Sequence, residues 1–154
     1  MKKVQLILIL GSLAVAGCGK DISGTYKGTE TNVGYSGIAP VTIVLKQSDN
    51  AVSGTWSVDG SSSYGGSSSG AMSGTVMGTL NDNGDQIGNM TVTLMQSQSS
   101  GSQYGYSSQV MLTGSLSVSD AGLSGSLNLS NGGYSSSSSS GSTSTSTVTA
   151  AKQN

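Results

Sequence analysis

Val52-Ser53-Gly54-Thr55-Trp56 sets a large apolar residue, a hydroxyl residue, a glycine, a second hydroxyl residue and a large apolar residue in a row. Val58 continues the series, so Val52, Gly54, Trp56 and Val58 alternate with Ser53, Thr55 and Ser57. That alternation has the period of a β-strand with one apolar face. The unit recurs as Ile22–Tyr26 (ISGTY), Met72–Val76 (MSGTV), Leu112–Leu116 (LTGSL) and Leu123–Leu127 (LSGSL). Val76–Leu80 (VMGTL) nearly repeats it, and VTIVLK at 41–46 and MTVTLM at 90–95 alternate in the same way.

The spacing predicts strands over 22–30, 40–47, 51–58, 71–80, 88–96, 109–118 and 122–130. A weaker eighth covers 145–150, where Thr and Val favour a strand but apolar weight is low. Turn chemistry separates them at 48–50 (SDN), 81–85 (NDNGD) and 119–122 (SDAG). No segment carries a helical apolar period. One face collects Ile22, Tyr26, Val41, Ile43, Leu45, Val52, Trp56, Val58, Met72, Val76, Leu80, Met90, Val92, Leu94, Val110, Leu112, Leu116, Leu123, Leu127 and Leu129. The other face is mainly Ser, Thr, Asn and Lys, which suits antiparallel strands with one side in water.

Gly24, Gly54, Gly74, Gly78, Gly114 and Gly125 share the apolar phase. Glycine weakens a strand interior, but on a concave face it permits tight curvature and leaves room for Trp56 or Tyr26 of a neighbour. Eight strands in series, rich in Thr and needing their edges covered, predict an all-β, antiparallel up-and-down barrel. An open barrel or a β-sandwich is the alternative. The ISGTY and VSGTW strands and serial hairpins over roughly 22–150 resemble small secreted meander barrels of the avidin and lipocalin type. Closer still is the resemblance to bacterial lipoproteins with Ser-Gly-Thr barrel strands. It implies an apolar interior, which in several such barrels holds a small ligand. The lipocalin Gly and Trp of the first strand do not match, since Tyr26 follows Gly24 and Trp56 falls in the third strand. No set of biotin-contacting residues is found.

The N-terminus belongs to a different regime. Lys2 and Lys3 precede an uncharged run from Val4 to Gly17. Its apolar core is shorter than the ~20 residues needed to span a bilayer and has the order of a secretory signal. The run ends Val15-Ala16-Gly17-Cys18, which resembles the lipobox of bacterial lipoproteins. The resemblance implies cleavage before Cys18, lipid such as palmitate on Cys18 and membrane anchoring. With Gly19 rather than Asp after the cysteine, it implies the outer membrane in a cell with two membranes and otherwise the cell surface. Residues 1–17 are thus read as signal peptide, 18–21 as a short lipidated tether and 22–154 as the barrel domain. Cys18 is the one cysteine, so no internal disulfide forms.

Composition narrows the function. The chain carries 6 Lys and Arg against 7 Asp and Glu. Removing Lys2 and Lys3 with the signal leaves 4 against 7, and no Lys or Arg lies between Lys46 and Lys152. A continuous basic patch for nucleic acid is therefore missing. There is no His, which excludes His-based triads, and a single Cys gives no thiolate zinc set. Asp59, Asp82 and Asp85 carry oxygen-ligand chemistry, but their spacing is not that of a calcium loop, and NDNGD is ordinary turn chemistry. Glu30 has no evident carboxylate partner for sugar hydrolysis. The reading is non-enzymatic, with no metal and no cofactor.

Connections alternate in length. Long ones at 31–39, 59–70, 97–108 and 131–144 hold Tyr35, Tyr64, Tyr104, Tyr106 and Tyr134 among Ser, Gly, Gln and Asn. In a meander all four lie at one end, opposite Cys18. Tyr with Ser and Gly is binding-surface chemistry and equally that of soluble spacers. Three roles follow. The first is a structural or interaction-making envelope lipoprotein. The second carries a small apolar ligand inside, facing Tyr26, Trp56, Val76, Leu112 and Leu127. The third is an inhibitor or adhesin whose loops contact an envelope protein or a glycan. An open interior pocket favours the second and a packed interior the first.

Overall fold

A computed structural model describes residues 20–31, 38–59, 71–96, 109–132 and 145–154. The strands are β1 (Gly24–Thr31), β2 (Ile38–Ser48), β3 (Ala51–Val58), β4 (Met72–Leu80), β5 (Gln86–Gln96), β6 (Gln109–Val118), β7 (Gly122–Gly132) and β8 (Thr145–Lys152). Each pairs antiparallel with its successor, and β8 pairs with β1, closing the barrel in sequence order. The up-and-down barrel is thus the fold, and the open barrel and sandwich fall away. The weakly patterned eighth strand is the closing strand. It runs from Thr147 opposite Thr31 to Lys152 opposite Tyr26 on one side and lies against β7 on the other.

Alternation is what makes these residues a barrel. On β3, Val52, Trp56 and Val58 are buried while Ser53, Thr55 and Ser57 are exposed. β4 repeats this with Met72, Val76 and Leu80 inside and Ser73, Thr75 and Thr79 outside. The inward side chains form one contiguous apolar core. The inward set is as the alternation predicts, except that Leu129 is only partly buried at its margin. Ile87, Val118, Ala39, Val148 and Ala150 join it. Ile87 lies three residues from Met90 yet on the same side, because β5 carries a bulge. Ile87 faces Leu116 and Met90 faces Gly114, so two β5 residues oppose one of β6. Asn89 absorbs the bulge with φ of 49°, a conformation Asn tolerates.

Two inward glycines sit directly against the main chain of a neighbouring strand. A Cβ on Gly54 would fall onto the carbonyl of Val44, and one on Gly74 onto that of Thr93. Both neighbours are main chain of the adjoining strand, so these glycines let β2 and β5 curl over β3 and β4 and tighten the barrel.

Tight turns close one end. β2 and β3 are joined by Asp49 and Asn50, with Asp49 at φ 53°. In the β4–β5 turn the Asn81 side-chain oxygen accepts from the amides of Asp85 and Gln86, while its amide group donates to Asp85. That is the turn chemistry the sequence suggests for NDNGD. Ser119 and Gly122 exchange backbone bonds across the β6–β7 turn. We call this end the floor. All four longer connections leave the other end, the mouth.

Candidate functional site

Two polar side chains are buried among the described residues, Glu30 and Ser146, and they meet. Glu30 is the seventh residue of β1 and follows Tyr26 and Gly28 in the inward phase. Ser146 is the second residue of β8 and precedes Val148 and Ala150 in the same phase. Both lie at the mouth end, level with Trp56 near the top of β3. The Trp56 indole N–H donates to Glu30 Oε2 at 2.8 Å, and the Ser146 hydroxyl donates to Glu30 Oε1 at 2.8 Å. One carboxyl thus ties β8 and β3 to β1 across the interior. Glu30 is 1% exposed. Burial pushes its carboxyl above the ordinary glutamate value, and the Trp56 and Ser146 bonds pull partly back. Among the described residues, no second carboxylate is buried beside it.

At the floor, the segment ahead of β1 is built into the barrel. Ile22 is buried, although it precedes the strand. Its N–H donates to the Gln47 side-chain oxygen at 3.0 Å, and its carbonyl accepts from the Tyr26 hydroxyl at 2.7 Å. Burial, with the Asp21 charge nearby, raises the Tyr26 phenol above its usual value. The Asp21 carbonyl accepts from Lys152 Nζ, and the Asp21 carboxylate accepts from the Ser23 amide. The Ser23 bonds hold the Asp21 carboxyl below its ordinary value, and the Lys152 charge nearby adds to them. Lys20 reaches the far side. Its Nζ lies 2.6 Å from Asp120 in the β6–β7 turn, and its Cβ would come within 3.3 Å of a Cβ added at Gly84 in the β4–β5 turn. The Lys20 bond keeps the Asp120 carboxyl low.

A third feature is an open groove of about 300 Å³ on the outer wall near the mouth, lined by Pro40, Thr42, Ser57, Asp59, Met72 and Ser73 among others. Its hydroxyls are those of ordinary outward strand positions.

The structure places Tyr26, Trp56, Val76, Leu112 and Leu127 inside, as the alternation requires. It separates their polar atoms. The Tyr26 hydroxyl serves the floor and the Trp56 indole serves the mouth. Cys18 and the tyrosines Tyr35, Tyr64, Tyr104, Tyr106 and Tyr134 lie outside the described residues. Ser146 and the partners of Glu30 escape a sequence reading. Phase alone carries Glu30 inward, two positions past Gly28, but nothing in one dimension pairs it with Trp56 and Ser146. Among the described residues, no three His, Cys, Asp or Glu side chains are placed to hold a metal ion. Comparison with protein families, curated proteins and solved structures gives no match.

Proposed function

We propose that this chain is a non-enzymatic envelope lipoprotein that displays a closed β-barrel from the membrane, with a structural or interaction-making role. The observation that carries this reading is the polarity of the barrel. Its wall is Ser, Thr and Lys outside and apolar inside, the reverse of what a membrane-crossing barrel needs. The domain therefore stands in water. The apolar run ending at Cys18 is then its means of attachment, and two or more acyl chains on Cys18 make that attachment firm. In a cell with two membranes the reading places it on the outer one.

An interaction role is favoured over carriage of an apolar ligand. The interior-facing residues already form one contiguous core, and Tyr26 and Trp56 spend their polar atoms on internal partners. A partner, whether envelope protein or glycan, would meet the mouth, the end at which β1, β3, β5 and β7 finish.

Labelling cells with an alkyne analogue of palmitate tests the anchor. The expected result is label on the wild-type protein in the membrane fraction, and neither label nor membrane retention for Cys18→Ser. An unlabelled wild-type protein released into the soluble fraction would overturn the reading.

A further inference from the structure

We propose that residues 20–23 form a floor plug that stands the barrel, short turns down, on the lipid surface holding Cys18. The proposal rests on the reading of Cys18 as lipidated, and concerns the contact that follows from it.

A tether that left β1 directly would let the domain swing. The segment Lys20–Ser23 does not. From β1 it crosses beneath the interior and fixes itself on three sides. Gln47 bonds it on β2, Lys152 on β8 and Asp120 at the β6–β7 turn, and Lys20 lies beside Gly84 of the β4–β5 turn, where an added Cβ would come within 3.3 Å of it. Ile22 fills the floor from below the strands. Lys20 therefore lies on the side of the floor opposite β1, paired with Asp120.

Only two peptide links separate Lys20 from Cys18, a reach of at most about 7.6 Å. The headgroup region of one leaflet is roughly 5–8 Å deep. With its acyl chains in the bilayer, Cys18 cannot lift the Lys20 side of the floor clear of the headgroups. The rim that meets them is suited to rest there and not to insert. Asp49, Asn50, Asp82, Asn83 and Asp120 are exposed polar residues on the three turns. Among the described residues, the large exposed apolar side chains, Ile38, Met77, Met95 and Met111, belong to strands β2, β4, β5 and β6. The partner is a zwitterionic headgroup surface, whose ammonium groups complement the turn carboxylates. The mouth then points away from the membrane.

Coupling residues 18–154 through Cys18, the single thiol, to a maleimide lipid supplies the anchor chemically. In a supported phosphatidylethanolamine–phosphatidylcholine bilayer, neutron reflectometry should show one protein layer about 25 Å thick, starting at the headgroups without a water gap. A variant with ten Gly and Ser residues inserted between Gly19 and Lys20 should show a hydrated gap and a broader layer. An unchanged blue emission of Trp56 in both confirms the fold. Wild-type and inserted proteins with the same broad profile would overturn the proposal. So would exchange of the Ile22 amide at the rate of a free chain. Because the lipid is added by chemistry, this outcome is independent of the palmitate-analogue result.

Discussion

Glu30→Gln should stabilise the barrel at neutral pH and abolish most of its pH dependence above the ordinary carboxylate range. Glutamine keeps an oxygen for the Trp56 N–H and an amide for Ser146, whose hydroxyl can turn to accept, while the buried ionisation disappears. The folded state holds the Glu30 proton more tightly than the unfolded chain does, since burial raises its value from 4.5. The stability this contributes is fully present below the unfolded value and is lost as pH rises through the folded one. The loss runs at no more than about 1.4 kcal/mol per pH unit. Asp21 and Asp120 are shifted the other way and act below 3.8, so a series from pH 4.5 to 8 isolates Glu30. Glu30→Ala behaves differently. It strands two buried donors, at about 1–3 kcal/mol each, so a total of about 2–6 kcal/mol should be lost where Glu30 is protonated. The single tryptophan of the chain is itself part of the cluster, so urea unfolding followed by its emission reads the effect directly. Parallel wild-type and Glu30→Gln stabilities over that series, or a wild-type stability that rises with pH, would show that Glu30 does not bind its proton more tightly in the folded state.

Three further outcomes follow from the packing. Gly54→Ala and Gly74→Ala drive a methyl into the main chain of the neighbouring strand and should each cost about 3 kcal/mol or more. Gly88→Ala, whose added methyl meets nothing closer than 3.9 Å, should be tolerated, and thermal melts separate the two classes. Ile22→Ala should lose about 2–4 kcal/mol in chemical denaturation although Ile22 precedes every strand, because it is as buried as the strand core. Tyr26→Phe removes the hydroxyl bonded to the Ile22 carbonyl and should cost about 1 kcal/mol, with faster exchange of the Ile22 amide as its local signature.

The strands were legible because water on one side and apolar packing on the other impose period two along the chain, and the Ser-Gly-Thr units carry that period almost without error. The same rule misses what breaks it. Ile87 falls out of phase with Met90, and only the pairing with Leu116 and Gly114 reveals the bulge that returns it to the core. Ile22 reads as the first strand residue but caps the floor instead, since its backbone bonds go to side chains of Gln47 and Tyr26 and not to a neighbouring strand. The inward glycines were recognisable by phase, whereas the task of Gly54 and Gly74, admitting a neighbour's carbonyl, depends on curvature that a linear pattern does not encode. Glu30 shows the limit most sharply. Alternation puts a carboxylate inside, and its tolerable burial depends on residues 26 and 116 positions away.

That carboxylate also explains how a strand as weak as β8 can close the barrel. Among the described residues β8 brings only Val148 and Ala150 to the apolar core, too little to fix its register by burial alone. A slip of one residue would turn Ser146 outward and take its hydroxyl from Glu30. The buried acid would then lose one of its two donors, a penalty larger than that of an apolar mismatch of the same size. The bond from Ser146 to Glu30 thus makes one register of β8 preferable, and Trp56 holds Glu30 where Ser146 can reach it. A polar cluster that costs stability at neutral pH therefore supplies specificity at the seam. On this argument Ser146→Ala should loosen β8 more than it lowers global stability. Amide exchange at Thr147 and Thr149 should quicken while β3 and β4 stay protected, and uniform acceleration across all strands would refute the assignment.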